Sequence, residues 1–258
     1  MNDQTLLDMK NICLRFGGVV ALDNISFHVK PHEILAIIGP NGAGKTSMLN
    51  VINGFYTPQS GEIWFKGALR NAMKPHEAAK RGIARTFQNV ALFRGMTSLD
   101  NIMTGRMTKM HASFFSQMLY WGKNEKEEIT HRRYCEDIID FLEIQHIRDV
   151  PVGRLPYGLQ KRVELARALA MQADLLLLDV PMAGMNSEEK EDMARFIMEV
   201  NHEYQTTIIL IEHDMGVVMD LSDRVVVLDY GRKLAEGVPD EVRNNQDVID
   251  AYLGVSRE

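Results

Sequence analysis

The sequence is poor in cysteine and in long apolar runs, and each shortage excludes a class of protein. Cys13 and Cys135 are the only cysteines among 258 residues. They form neither a metal-type spacing nor a disulfide framework, which favours a reducing compartment. The longest apolar runs, such as residues 175–178 and 208–211, fall far short of about 18 residues. We therefore predict no membrane-spanning helix.

Net positive charge is also missing, and we expect no leader segment. Lys and Arg total 29 against 35 Asp and Glu, which gives a formal net charge of −6. A field of this sign draws the chain neither to nucleic acid nor to an anionic membrane, so we expect no nucleic-acid partner. The first residues lack the basic and apolar regions of a signal peptide. If the protein works at a membrane, we expect a partner to dock it there.

What the chain does contain is an alternation of apolar strands and amphipathic helices. Residues 33–39, 174–179 and 224–229 read as buried strands of a parallel sheet. Asn186 and Glu189 predict the capping box of a helix. The apolar stripe of that helix, with members three or four residues apart, consists of Met193, Phe196, Ile197 and Val200. The alternation predicts α/β layers around a largely parallel sheet, with ligands beyond the carboxyl ends of the strands.

The most specific local signal is GPNGAGKTS, which fits the phosphate-loop pattern and follows an apolar strand directly. Its glycines let successive backbone N–H groups point inward, and the next helix turns its positive end to the phosphates. Lys45 is expected to reach the β- and γ-phosphates, and Thr46 to offer a hydroxyl to Mg²⁺. The predicted ATP loop consists of Gly39, Pro40, Asn41, Gly42, Ala43, Gly44, Lys45, Thr46 and Ser47.

Four further positions become candidate functional residues because they follow this loop in the expected order. Asp179 ends an apolar strand, where a carboxylate typically holds Mg²⁺. Gly158 opens a predicted helix whose first turn is either a second phosphate-binding turn or an ordinary loop-to-helix start. Gln88 could reach Mg²⁺ or a water molecule through its amide oxygen, and His213 follows another strand. Taken singly, such Gln and His residues are usually surface or structural groups.

The order of these motifs resembles the ATP-binding subunits of ABC transporters, along essentially the whole chain. Several segments resemble the branched-chain amino acid importers in particular, among them RFGGVVALDNISF, INGFYTPQSGEI, ARTFQNVALFRGMTSLDNIM, YGLQKRVELARALA and the closing AYLG. The resemblance implies a P-loop NTPase sheet core with an antiparallel β subdomain and an inserted helical subdomain. It further implies a single ATP-binding domain over residues 1–258, with the helical signature subdomain at about 90–170.

The resemblance also implies roles for single residues. Phe16 would stack on adenine with Val20 beside it, and Mg²⁺ would be held by Thr46, Gln88 and Asp179. Met185 and Asn186 would touch a second ATPase subunit, and His213 would contact the γ-phosphate and the attacking water. The signature would close on ATP held by that second subunit; it consists of Leu155, Pro156, Tyr157, Gly158, Leu159 and Gln160.

One position departs from the family pattern. The family has Glu after the Asp that ends the strand, whereas this chain has Val180. Valine can neither accept a proton nor polarise water, and loss of a general base typically costs about 10²–10⁴ in rate. We expect this site to bind ATP and Mg²⁺ but to turn over slowly. Val180 is either a change at one position of an otherwise well-kept site, or natural, with a partner subunit supplying the active site.

The resemblance implies a transport ATPase on the cytoplasmic face of the cell membrane. Its expected partners are a second ATPase subunit, identical or different, two multispanning membrane subunits docked near residues 90–150, and, indirectly, an external substrate-binding protein. Import of branched-chain or other amino acids is favoured. The alternatives are a non-hydrolysing regulatory or structural subunit, a lipopolysaccharide-export-like ATPase, and a soluble ABC ATPase of repair or translation. Val180 favours the first of these. The last usually needs a second cassette or a long coiled coil, for which 258 residues leave no room.

Overall fold

The computed structural model describes residues 5–70, 72–109 and 123–253. A mostly parallel sheet forms the centre, and its described strands run in the order β10-β9-β3-β8-β7-β6. Among these described strands, only β10 is antiparallel to its neighbour. The strands are β3 (Ile34–Ile38), β6 (Ile83–Arg85), β7 (Leu175–Asp179), β8 (Thr207–Ile211), β9 (Arg224–Asp229) and β10 (Arg232–Gly237).

A second, antiparallel sheet is built from the first part of the chain in the order β2-β1-β4-β5. Its inward positions alternate with outward ones, as in any strand with one buried face. Ile25, Phe27 and Val29 are buried on one strand and Ile63 and Phe65 on another. The strands are β1 (Leu7–Phe16), β2 (Val19–Val29), β4 (Ser60–Phe65) and β5 (Ala68–Leu69).

Helices cover both faces of the central sheet. In chain order the described helices are α1 (Lys45–Ile52), α2 (Pro75–Lys80), α3 (Ser98–Arg106), α4 (Lys123–Phe141), α5 (Tyr157–Ala170), α6 (Ser187–Glu203), α7 (Met215–Leu221), α8 (Pro239–Arg243) and α9 (Gln246–Leu253). Within the ranges given above, none of these helices is long and apolar enough to cross a bilayer.

Two large apolar clusters fix these layers. One fills the space between the antiparallel sheet, α1 and the central sheet; the other joins the opposite face of the sheet to the helices α3 to α6. The capping box of α6 forms as predicted, with Asn186 Oδ1 accepting the Glu189 N–H at 2.9 Å. The predicted stripe of α6, from Met193 to Val200, is its buried face.

The strand order determines where the site lies. In the parallel register Asp179 stands beside Ile211, so β7 and β8 end side by side, and β3 lies next to β8. The phosphate loop after β3, Val180 after β7 and His213 after β8 therefore meet at one edge of the sheet, as expected for a parallel α/β fold.

Candidate functional site

Two positions of the phosphate loop require glycine, because neighbouring backbone lies too close for a side chain. Gly39 has φ +146°, and a Cβ there would lie 2.0 Å from the carbonyl oxygen of Leu228. Gly44 has φ +101°, and its Cβ would lie 2.6 Å from the carbonyl oxygen of Ala21. The loop can therefore curl only with glycine at both positions, and the curl brings the start of α1 to its mouth.

Lys45 lies inside this curl. Its Nζ donates to the carbonyl oxygens of Gly39 at 2.7 Å and Pro40 at 2.9 Å, and the side chain is buried. Burial lowers the pKa of Lys45, and the charge of Asp179 opposes that shift. A buried ammonium that is held only by carbonyl oxygens can exchange them for the stronger charge of a phosphate.

Asp179 is the carboxylate whose charge acts on Lys45, and it is 2% exposed. Its Oδ2 accepts from Arg85 at 2.9 Å, while Oδ1 is buried and has no hydrogen-bond partner among the described residues. Arg85 in turn donates to Asn50 Oδ1 on α1 at 2.6 Å. Arg85 thus orients the carboxylate through Oδ2 and leaves Oδ1 without a partner within the described ranges.

The donor set fits Mg²⁺, a hard cation that prefers oxygen and is usually bound by one or two carboxylates together with substrate phosphates. The orphaned Oδ1 of Asp179 has the chemistry of such a ligand, because a buried carboxylate oxygen without a partner is costly and a cation would satisfy it. Thr46 follows Lys45 in the first turn of α1 and is exposed. No cluster of three His, Cys, Asp or Glu suited to a metal occurs in the described part of the chain.

Val180 adopts a backbone conformation that is unusual for its residue type. Its φ is +49°, although it is β-branched and precedes Pro181. Such a conformation costs of order 1–3 kcal/mol and persists only where the surroundings impose it. Here the Val180 N–H donates to the Ile211 carbonyl oxygen at 2.9 Å, and the side chain packs into the apolar cluster at 5% exposure. The strand edge therefore dictates the conformation, and valine is poorly suited to it.

Glu212, which the sequence analysis did not single out, ties the two strand ends together. It is buried, and its carboxylate accepts the N–H of Met182 at 2.8 Å and the N–H of His213 at 3.0 Å. Both oxygens are thus engaged by backbone donors. Glu212 holds the segment after Val180 against the segment that carries His213, and His213 itself is exposed at the edge. The only sequence signal was a carboxylate directly after a strand.

The segment that carries Gln88 leaves β6 next to Asp179, and the Asp179 N–H donates to Thr86 Oγ1 at 3.4 Å. Gln88 is exposed, and its carbonyl oxygen accepts from Lys161 Nζ at 2.9 Å. The signature residues form the entry and first turn of α5. Pro156 is the N-cap and offers no side-chain hydrogen bond. The first N–H groups of the helix are therefore not capped by the side chain of its N-cap residue.

Phe16 and Val20 lie at the end of the β1–β2 hairpin and are 44% and 39% exposed. Tyr56, another residue that the sequence analysis missed, supports Phe16 edge-on with ring centroids 4.9 Å apart. Such aromatic pairs hold a ring in place while one face stays open.

Met185 and Asn186 are both used within the subunit. Met185 is 8% exposed in the apolar cluster, and Asn186 caps α6. Their contact with another subunit stays a prediction, and so do the roles of the other site residues.

Comparison with protein families places most of the chain in one group. The family model described as ABC transporter matches residues 22–183, and the model described as branched-chain amino acid ATP-binding cassette transporter matches residues 232–258. The high-affinity branched-chain amino acid transport ATP-binding protein LivG of Escherichia coli K12 is 38% identical over 97% of this chain and 98% of its own length.

Solved structures give the same fold. An ATP-binding cassette of an ABC transporter in its ADP conformation superposes with a TM-score of 0.84 at 30% identity, over 97% of this chain and 99% of that one. A dimeric cassette in a post-hydrolysis state, bound to ADP and Pi, superposes with a TM-score of 0.77 at 25% identity, over 91% of this chain and 99% of that one. The predicted P-loop sheet core with an antiparallel β sheet is confirmed.

Proposed function

The chain belongs to the ABC transporter family, in the group of branched-chain amino acid transport ATP-binding proteins, and from this membership we propose that it is the ATP-binding subunit of an amino acid importer. The observation that carries the proposal is the meeting of three groups at one sheet edge: a phosphate loop that encloses Lys45, a carboxylate with one orphaned oxygen, and His213 after the next strand.

In this proposal the loop and Lys45 bind the phosphates of ATP, and Phe16, supported by Tyr56, covers the adenine. Thr46, Asp179 and Gln88 hold Mg²⁺, which neutralises developing phosphate charge when it is bound. Arg85 keeps Asp179 oriented through Oδ2 and leaves Oδ1 for the cation. Each of these residues binds or orients the nucleotide or the cation. ATP binding therefore does not need the general base that position 180 lacks.

Hydrolysis at this chain's own loop is proposed to be slow. Val180 offers no lone pair at the position of the family's glutamate. Glu212 is not assigned this role, because it is buried and its two oxygens hold the N–H groups of Met182 and His213. Absence of the glutamate also removes a like charge near the γ-phosphate, which favours retention of ATP. A subunit of this kind clamps ATP. With a different ATPase subunit as partner, turnover falls to the partner's loop, whereas in a homodimer both sites lack the base.

The subunit is proposed to sit on the cytoplasmic face of the membrane, docked on two multispanning subunits, and to dimerise with a second ATPase subunit. Closure of the two ATPase subunits on ATP then favours one state of the membrane subunits. The single ATP-binding domain over 1–258 and the helical subdomain at about 90–170 belong to the same proposal; residues 110–122 of that subdomain lie outside the described residues.

The proposal is tested by reconstitution in vesicles with the membrane subunits, the second ATPase subunit and the binding protein. We expect ATP-dependent uptake of a branched-chain amino acid that is lost in Lys45→Met. Copurification with ribosomes or DNA in place of a multispanning protein would contradict it.

The non-hydrolysing regulatory subunit is the second candidate, and Val180 is the observation that favours it. It predicts that uptake in the same vesicles survives Lys45→Met, because ATP at this loop would then not drive the transport cycle.

A further inference from the structure

A buried ion pair on α5 holds the segment Phe87–Ala91, which we call the Gln88 segment. Lys161 Nζ and Glu164 Oε2 lie 3.3 Å apart, and both side chains are at most 2% exposed. Lys161 donates to the carbonyl oxygens of Phe87 and Gln88, each at 2.9 Å. Glu164 Oε1 accepts the N–H groups of Phe87 and Ala91, each at 3.3 Å. Four backbone groups of the segment are thus held by two side chains.

Two more contacts come from the same face of α5. The Tyr157 hydroxyl donates to the Gln88 carbonyl oxygen at 3.5 Å, and Arg167 donates to the Ala91 carbonyl oxygen at 2.6 Å. These contacts, with Lys161 and Glu164, repeat every three or four residues, so they line one side of the helix. The first of them, Tyr157, is itself part of the signature turn.

The Gln88 segment has no helix or strand of its own. Its backbone polar groups must still be satisfied wherever they are buried, and α5 provides those partners. A buried ion pair is a poor source of stability, because replacement by apolar residues of similar volume is often neutral or stabilising. An apolar pair would leave four backbone groups of the segment without these partners, whereas Lys161 and Glu164 bind them at fixed positions along α5.

We propose that Lys161 and Glu164 are positioning residues that couple the Gln88 segment to the signature turn, so that a shift of one shifts the other. This inference rests on the proposed function, in which Gln88 serves the ATP of this chain and the signature turn serves the ATP of the second subunit. The coupling links the two ATP sites through one rigid helix.

The test is hydrogen–deuterium exchange on the full chain with and without ATP and Mg²⁺, read at residues 87–91 and 155–160. In the unaltered chain, ATP slows exchange in the Gln88 segment and changes it in the signature turn as well. In Lys161→Met combined with Glu164→Met, the Phe87 and Ala91 amides exchange about tenfold faster, and the response of the signature turn to ATP disappears. The ATP dissociation constant measured without Mg²⁺ stays within about threefold, because neither residue touches the phosphate loop and Gln88 acts only through Mg²⁺ in the proposed function.

The matched control is Asp192→Asn, which removes the ion-pair partner of Arg162 on another face of α5. It is expected to leave the response of the signature turn intact. Glu164→Gln is the second variant if the double variant does not fold. It removes the charge opposite Lys161 but keeps one acceptor, and it should weaken the response by at least half.

The outcomes distinguish a failure of the coupling role from a failure of the proposed function. A signature turn that responds equally in the unaltered chain and the double variant overturns the coupling role, as does a turn that never responds to bound ATP. A wild-type chain that fails to bind ATP overturns the proposed function on which the inference rests.

Discussion

Restoring a carboxylate at position 180 is the sharpest perturbation that the site allows. The backbone there is fixed by the β7–β8 ladder and by the bond from the Val180 N–H to Ile211. Val180→Glu therefore changes the side chain and leaves the strand edge in place. Glutamate is unbranched at Cβ and tolerates the positive φ better than valine, which offsets part of the apolar contact that is lost. We expect the free energy of unfolding to change by only about 1 kcal/mol in either direction.

The expected gain in turnover is large by comparison. A general base contributes about 10²–10⁴ in rate, which corresponds to roughly 3–5 kcal/mol of activation free energy. ATP affinity should fall slightly, because the new charge lies near the γ-phosphate. Affinity and turnover thus move in opposite directions, a pattern that a mere gain in stability would not produce.

Phosphate release is the assay, measured in the assembled transporter. The second ATPase subunit carries a substituted phosphate-loop lysine, so that only this chain's site can turn over. Val180→Gln is the matched control, because it has the size of glutamate without its charge, and it should stay as slow as the unaltered chain. Equal turnover in the unaltered chain and Val180→Glu, or in the Gln and Glu variants, would refute the reasoning about the base.

Three other perturbations test separate parts of the account. Lys45→Met should weaken binding of a fluorescent ATP analogue at least about tenfold by removing a charged partner of the phosphates, whereas Lys80→Met on the exposed α2 should not; equal affinities would contradict the assigned role. Glu212→Gln should turn an amide donor toward the N–H of Met182 or His213 and cost about 1–3 kcal/mol. Calorimetry should then record a Tm lower by roughly 2–4 °C for each kcal/mol. Glu199→Gln on the surface of α6 should leave Tm unchanged. An unaltered Tm in Glu212→Gln would argue against a stabilising link from Glu212 to Met182 and His213. Burial raises the pKa of the Cys135 thiol from 9.0 to about 11, so between these values the unfolded chain loses the proton first. Stability should fall with rising pH through that window by up to about 2–3 kcal/mol, and denaturant titrations of Cys135→Ala should lack this slope.

The sequence predicted those parts of the molecule that depend on near neighbours in the chain. The phosphate loop is one unbroken motif after a strand. A capping box and an apolar stripe with helical spacing predicted α6. The strand ends that carry Asp179 and His213 followed from the same logic, because apolar runs that end in polar residues mark the carboxyl edge of a parallel sheet.

The parts that the sequence did not reveal join residues far apart in the chain. Arg85 and Asp179 are 94 positions apart, and Glu212 and Met182 are 30 apart. A charged residue that serves a distant backbone group has no local pattern, since its partner is chosen by the packing of layers. The strained φ of Val180 could not be predicted from the sequence for the same reason, because the neighbouring strand imposes it and valine itself does not favour it.

The central claim is that this subunit binds ATP tightly and hydrolyses it only slowly at its own loop, and a single-turnover experiment tests it most directly. Mg²⁺ and γ-labelled ATP are bound at this chain's loop in the assembly whose other site is disabled, and release of labelled phosphate is followed. The account predicts tight binding with the nucleotide intact at least about 10²-fold longer than in Val180→Glu. Release from the unaltered chain as fast as from Val180→Glu would contradict it.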